Sequence, residues 1–382
     1  MYSELAKEQC HQSEDKAPHL TGSKGYTRII GPSRNSELGS FARERLSSAG
    51  LLSIAEQVSS GLPLSRQDAE QLLAAPLPML AKLCEIQPSA FDLVSAGAFP
   101  LQPVIYFPLM QELENSSAED VARALSEYAQ KTCDTYQPKA VPAVTIDRWH
   151  GTATREKLFA ALRLFRDSAP SFRFFGPTTG ELKLMLCPDG SQPIESALDT
   201  TVFAELLACG IDTLEGGGDL RIHRAAAEAG MNVVFTHSLT RTRLARFHRD
   251  TTDQKPNDTR ESYTFLDEIF QLRERLLPTG RFMAWLPWSP ILSDMGLPQA
   301  EAPLGLEILT SIALARLLLP EIPVVRAPVS LLGPKLAEAA LHFGANDLGL
   351  AALDTTSAEQ LGLLRYRAVL DFLSTSLEER TV

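Results

Sequence analysis

The sequence predicts an α/β fold built on a parallel (β/α) barrel of the TIM type, complete or partial, and three observations carry that prediction. From about residue 101, short apolar or β-branched runs alternate with longer amphipathic segments. Parallel strands are joined through crossovers that are usually helical, so such alternation demands a mostly parallel sheet. The repeat occurs seven times, and no Gly-x-Gly-x-x-Gly follows the first strand as an open dinucleotide-binding sheet would require.

Taken in order, residues 1–45 form a polar segment without a sustained apolar period, expected as a flexible arm. Residues 46–100 form a helical lead-in. Leu51 to Val58 and Asp68 to Leu73 have helical spacing, and Ser65 stands three residues before Asp68 like the start of a capping box, so a helical hairpin is expected. The barrel is expected over 101–350. Its strands are read at Val104 to Phe107, Ala143 to Ile146, Phe172 to Phe175, Asp212 to Leu214, Asn232 to Phe235, Phe282 to Leu286 and Val324 to Arg326. Its helices are read at Ala118 to Ala129, Arg155 to Arg166, Val202 to Leu207, His223 to Ala229, Tyr263 to Leu277, Leu306 to Leu319 and Lys335 to Phe343. Within 351–382, Ser357 to Leu377 has the spacing of one amphipathic helix, expected to cap the barrel.

Composition narrows the function. An apolar fraction of 44% with 22% charged residues is that of a globular chain able to bury a large core. The net charge of −11 disfavours nucleic acid, whose phosphates need clustered Lys and Arg. No run approaches the roughly 18 apolar residues of a membrane helix, and no signal-peptide pattern opens the chain, so no membrane partner and a cytoplasmic location are expected. The cysteines, Cys10, Cys84, Cys133, Cys187 and Cys209, are scattered, which gives no local chelate and no disulfide framework. No Gly-x-Ser-x-Gly elbow, Walker loop or His-Glu-x-x-His helix is present.

Several blocks are similar to one enzyme family. Leu206 through Gly218, which reads LLACGIDTLEGGG, and Ile222 through Asn232 resemble the turn and helix of aminofutalosine synthase and dehypoxanthine futalosine cyclase. Ile312 to Leu319 and Leu341 to Gly349 resemble two later blocks of the same enzymes, and Leu51 to Leu73 resembles their lead-in. These are radical-SAM proteins of the futalosine route to menaquinone, related to the deazaflavin cofactor synthases. The blocks keep the family's order from about residue 51 to 349.

The departures bear on chemistry. The family's first barrel strand leads into Cys-x3-Cys-x2-Cys, whose thiolates hold a [4Fe-4S] cluster that binds S-adenosylmethionine. Here Val104 to Ser116 holds no cysteine, so no cofactor is expected. The family's longer insert after the triple glycine is also missing, so Asp219 runs directly into the next helix.

Candidate site residues follow from predicted strand ends, where a barrel opens its ligand face. Gly216, Gly217 and Gly218 would let a backbone approach a ligand, and Asp219 would accept hydrogen bonds from a ribose; a plain tight turn with a helix cap is the ordinary alternative. His150 and His237, with Asp147 three residues before His150, are candidates for proton transfer, against ordinary loop histidines. Glu181 occupies a position after the third strand, with surface exposure as its alternative. Trp285 and Trp288 would stack on a planar ligand, although core packing accounts for Trp285 equally well. No metal site is expected.

The resemblance implies a radical-SAM-like protein that has lost cluster chemistry and acts as a non-radical homologue or a partner of a paralogous radical-SAM subunit. Two alternatives stand beside it. One is an active enzyme using Glu181, His237, His150 and Asp147 for acid-base chemistry on a nucleoside-like or aromatic substrate; the other is a purely structural subunit of a cluster-bearing paralogue.

Overall fold

The computed structural model of the chain describes residues 39–88, 102–136, 143–146, 155–175, 177–186, 200–218, 220–239, 265–288 and 303–352. The expected α/β alternation is present. The strands are β1 (Gln102–Phe107), β2 (Ala143–Ile146), β3 (Arg173–Phe175), β4 (Thr213–Gly216), β5 (Asn232–Ser238), β6 (Phe282–Trp288), β7 (Val324–Val325) and β8 (Leu350–Ala352). Every pairing is parallel, and the strands form two four-stranded sheets, β3-β2-β1-β8 and β4-β5-β6-β7.

Among the described residues the two ladders do not merge into one closed barrel. Their edges meet at two seams, each marked by a single parallel bridge: Thr178↔Glu215 beside β3 and β4, and Arg326↔Asp347 beside β7 and β8. At the second seam Ala327 N–H donates to Asp347 O at 2.7 Å and Val329 N–H to Leu348 O at 2.9 Å.

Register decides what each strand shows to each side, because successive side chains alternate. Val233, Phe235 and Trp285 join the large apolar cluster that the sheet shares with its helices. Val234, Ala284 and Leu286 form a separate small cluster with Val324 against it. The pairings Glu215↔Val234, Val234↔Ala284 and Ala284↔Val324 place Glu215, Val234, Ala284 and Val324 in one row across the second sheet. That row faces the interior, opposite the helix layer.

Helix patterning accounts for the outer layer. Ala118–Tyr136 buries Val121, Ala122, Leu125 and Ala129, a stripe of helical period, and Asp120 N–H donates to the Ser117 hydroxyl at its start. Gly305–Leu318 is buried on all sides from Ile308 to Leu318, apart from Thr310, because the lead-in helices pack over its outer face. That lead-in is four helices, Ser40–Ser48, Leu52–Ser59, Arg66–Leu73 and Leu77–Ile86, rather than one hairpin. The capping box read at Ser65 and Asp68 is formed. A helix begins at Ser40, within the stretch expected as an arm; residues 1–38 and the expected C-terminal helix lie outside the described residues. Elements not read from the sequence are also present, among them the helices Leu77–Ile86, Leu109–Asn115, Thr179–Leu186 and Val329–Leu332, and strand β8.

Candidate functional site

His237 and Trp285 lie on the helix side of the sheet. His237 is inside β5 rather than beyond it, two residues after Phe235 and therefore on the same face. Its ring is 1% exposed and packs against Phe265 with centroids 4.7 Å apart. Trp285 Nε1–H donates to His237 Nδ1 at 3.4 Å, so the ring's hydrogen is on Nε2, 2.9 Å from Glu268 Oε2. Both ring nitrogens are engaged. Trp285 is fully buried and meets Phe265 edge-on at 6.5 Å. The expectation that these two residues open onto a ligand face is therefore corrected: alternation along β5 and β6 puts His237 beside Phe235 and Trp285 on the face packed against the helices. Glu268, which completes this group, is not signalled in the sequence by any motif.

The glycine turn after β4 is tied down by protein groups. The His223 Nε2 atom lies 3.0 Å from Gly216 O, and the Thr179 hydroxyl donates to Gly217 O at 2.8 Å. Gly216 has φ of 131° and Gly218 of 90°, both in the region that favours glycine. A Cβ on Gly216 would stand 2.7 Å from Thr179 Oγ1, and one on Gly217 would run into the Thr236 carbonyl oxygen. Only Gly218 opens onto free space. The first two glycines are thus accounted for by close packing against Thr179 and Thr236.

Glu181 is the third residue of the Thr179–Leu186 helix and caps it. Its carboxylate accepts from Thr178 N–H at 2.8 Å and from the Thr178 hydroxyl at 2.9 Å, while Glu181 N–H donates to Thr178 Oγ1 at 3.2 Å. Trp288 ends β6, with only its backbone described. Asp147, His150 and Asp219 lie outside the described residues.

The polar feature of the interior is a group that the sequence reading missed: Glu215, Arg326 and Asp347. Arg326 Nε donates to Asp347 Oδ1 at 2.6 Å, and Gly349 N–H donates to the same oxygen at 2.8 Å. Arg326 Nη1 then reaches toward the other seam, 3.9 Å from Glu215 Oε1. Burial pushes the Glu215 carboxyl above its ordinary range, Arg326 opposes that shift, and Asp347 and Glu181 add to it. Burial pulls Arg326 down, but Asp347 and Glu215 outweigh it and keep the guanidinium firmly charged. The sequence signal was present in part, since Arg326 closes the seventh apolar run and Glu215 precedes the glycines.

The described thiols are far from this interior. Cys84 lies between helices, 3.4 Å from Phe343 O, and burial pushes its thiol up to about 12. Cys209 is buried 3.6 Å from Phe159 O, and Cys133 lies on the Ala118–Tyr136 helix. Among the described residues no group of three or more His, Cys, Asp or Glu is placed to hold a metal ion. No described helix is long and apolar enough to cross a membrane.

No family model matches the chain, and no curated protein matches it. Among solved structures it is similar to methylornithine synthase, at 14% identity and a TM-score of 0.47, covering 78% of this chain and 85% of that one. It is similar to the FeFe-hydrogenase maturase HydG from Carboxydothermus hydrogenoformans, at 11% identity and a TM-score of 0.46, covering 81% of this chain and 72% of that one. A third similarity, to the tryptophan synthase α2β2 complex from Pyrococcus furiosus, has 13% identity and a TM-score of 0.32, over 73% of this chain and 96% of that one.

Proposed function

We propose that this chain is a non-radical relative of the futalosine-pathway radical-SAM enzymes that holds a small metabolite between its two sheets. One observation carries the reading. β1 ends at Phe107, and after Pro108 the chain enters the helix Leu109–Asn115, whose Leu109, Met110 and Leu113 are buried. The resemblance assigns this stretch to the cluster loop. In the family, the cluster bound there supplies reductive cleavage of S-adenosylmethionine. The residues present do not fit that group: the stretch has no thiolate, and its apolar side chains are spent on packing.

On this reading the chain works in the cytoplasm beside a cluster-bearing paralogue, or alone on a nucleoside-like or aromatic ligand. The acid-base alternative draws support from Glu215, an interior carboxyl that burial shifts above its ordinary range. Glu181, His237 and Trp285 contribute to the fold around that interior through the cap and the His237–Glu268 contact, and Asp147, His150 and Asp219 remain proposals for its rim.

Anaerobic reconstitution with iron and sulfide tests the reading. The expected result is no visible charge-transfer absorbance and no bound iron after desalting. A stable four-iron stoichiometry would overturn it.

A further inference from the structure

We infer that Glu215 and Arg326 form a binding site for the amino-acid head group of a ligand, with the ammonium on Glu215 and the carboxylate on Arg326. This rests on the reading that the interior holds a small metabolite, and it names the chemical class.

Among the described residues Glu215 accepts no side-chain hydrogen bond, and the Arg326 guanidinium donates through Nε alone. Their separation of 3.9 Å is too long for a direct bond. Yet these side chains keep only 25% and 10% of their surface exposed. The Glu215 carboxylate and the Arg326 Nη atoms keep access from solvent, so an open acceptor facing open donors at the mouth of a largely buried pair offers a place for a ligand.

Asp347, itself 10% exposed, already neutralises Arg326 through Nε at 2.6 Å and holds the guanidinium in one orientation. Glu215 is therefore the carboxylate in excess, and a simple anion would add a further negative charge. A zwitterion adds none. Its ammonium neutralises Glu215, and its carboxylate meets the free edge of a planar fork suited to bidentate contact.

An apolar surface lies beside them. Val234 is the register partner of Glu215, and the row continues through Ala284 to Val324, two residues before Arg326. A polar head flanked by an apolar wall is the usual makeup of a small-molecule site.

Thermal-shift and calorimetric titration of the full chain with the twenty common α-amino acids tests the assignment, with adenosine and benzoate as controls. At least one amino acid should raise the melting temperature. Its decarboxylated amine and its deaminated acid should each bind roughly tenfold or more weakly, as should the same amino acid to the isosteric Glu215→Gln variant. The analogue comparison uses the unaltered chain, so it decides the matter even if the variant does not fold. Binding of adenosine or benzoate alone would overturn the amino-acid class while sparing the metabolite reading. Binding of none would overturn both. Equal affinity of an amino acid for the parent chain and for Glu215→Gln would overturn the site.

Discussion

Arg326 and Asp347 are joined twice, through their backbones as a parallel bridge and through their side chains with Nε 2.6 Å from Oδ1. This double link sits at the seam between β7 and β8, where neither sheet's ladder continues. The ion pair is nearly buried, and removing Asp347 takes away the guanidinium's one direct hydrogen-bonded carboxylate, leaving, among the described residues, only Glu215 at 3.9 Å. Asp347→Ala should therefore cost about 3–5 kcal/mol in denaturant unfolding. Amides near the seam, including Ala327 and Val329, should lose hydrogen-exchange protection ahead of the central strands.

Glu215 gives the stability a pH dependence of known sign. Its carboxyl is raised in the folded chain, so the unfolded chain releases that proton first as pH rises. Its contribution is complete below the ordinary carboxylate range, near pH 4, and is lost as pH climbs through the folded value. The stability of Glu215→Gln relative to the parent chain should accordingly increase from about pH 4 toward neutrality. Urea titrations across that range check this; a flat difference would contradict it.

Gly217 and Gly218 should separate under substitution. Gly217→Ala forces the turn away from the Thr236 carbonyl, a backbone group that cannot rotate aside, and should cost about 1–3 kcal/mol or more. Gly218→Ala meets no neighbour and carries only the strain of its positive φ, about 1 kcal/mol. Equilibrium unfolding of the two variants measures the order.

The cap at Glu181 predicts a contrast between two variants. Glu181→Gln keeps the capping box with Thr178 and should leave stability nearly unchanged, whereas Glu181→Ala should cost about 1 kcal/mol. A loss of ligand affinity larger than the stability change would show that the carboxylate also contacts ligand.

The alternation of apolar runs made the α/β fold legible, because strand and helix periods differ and seven repeats reinforce one another. Short elements escaped. Leu350–Ala352 has three residues with no β-branched side chain, and Leu109–Asn115 follows a proline that reads as a stop. A strand end read at Phe235, three residues short of Ser238, makes His237 look like a loop residue at the ligand face, while Trp285 lies inside β6 as read and only its packing against Phe265 and His237 shows which face it takes. Thr178-x-x-Glu181 is a capping signature that could have been recognised. The Glu215–Arg326 approach could not, since it joins residues 111 positions apart and depends on how two sheets face each other.

On the proposed reading the segment after β1 holds no cluster and the chain runs no radical chemistry. The direct measurement is anaerobic incubation of the iron- and sulfide-treated protein with S-adenosylmethionine and dithionite, followed by chromatographic assay of 5′-deoxyadenosine. None is expected above a protein-free control, because Pro108 to Ser116 offers the packed side chains of Leu109, Met110 and Leu113 where three thiolates are needed. Formation of 5′-deoxyadenosine in proportion to protein would contradict it.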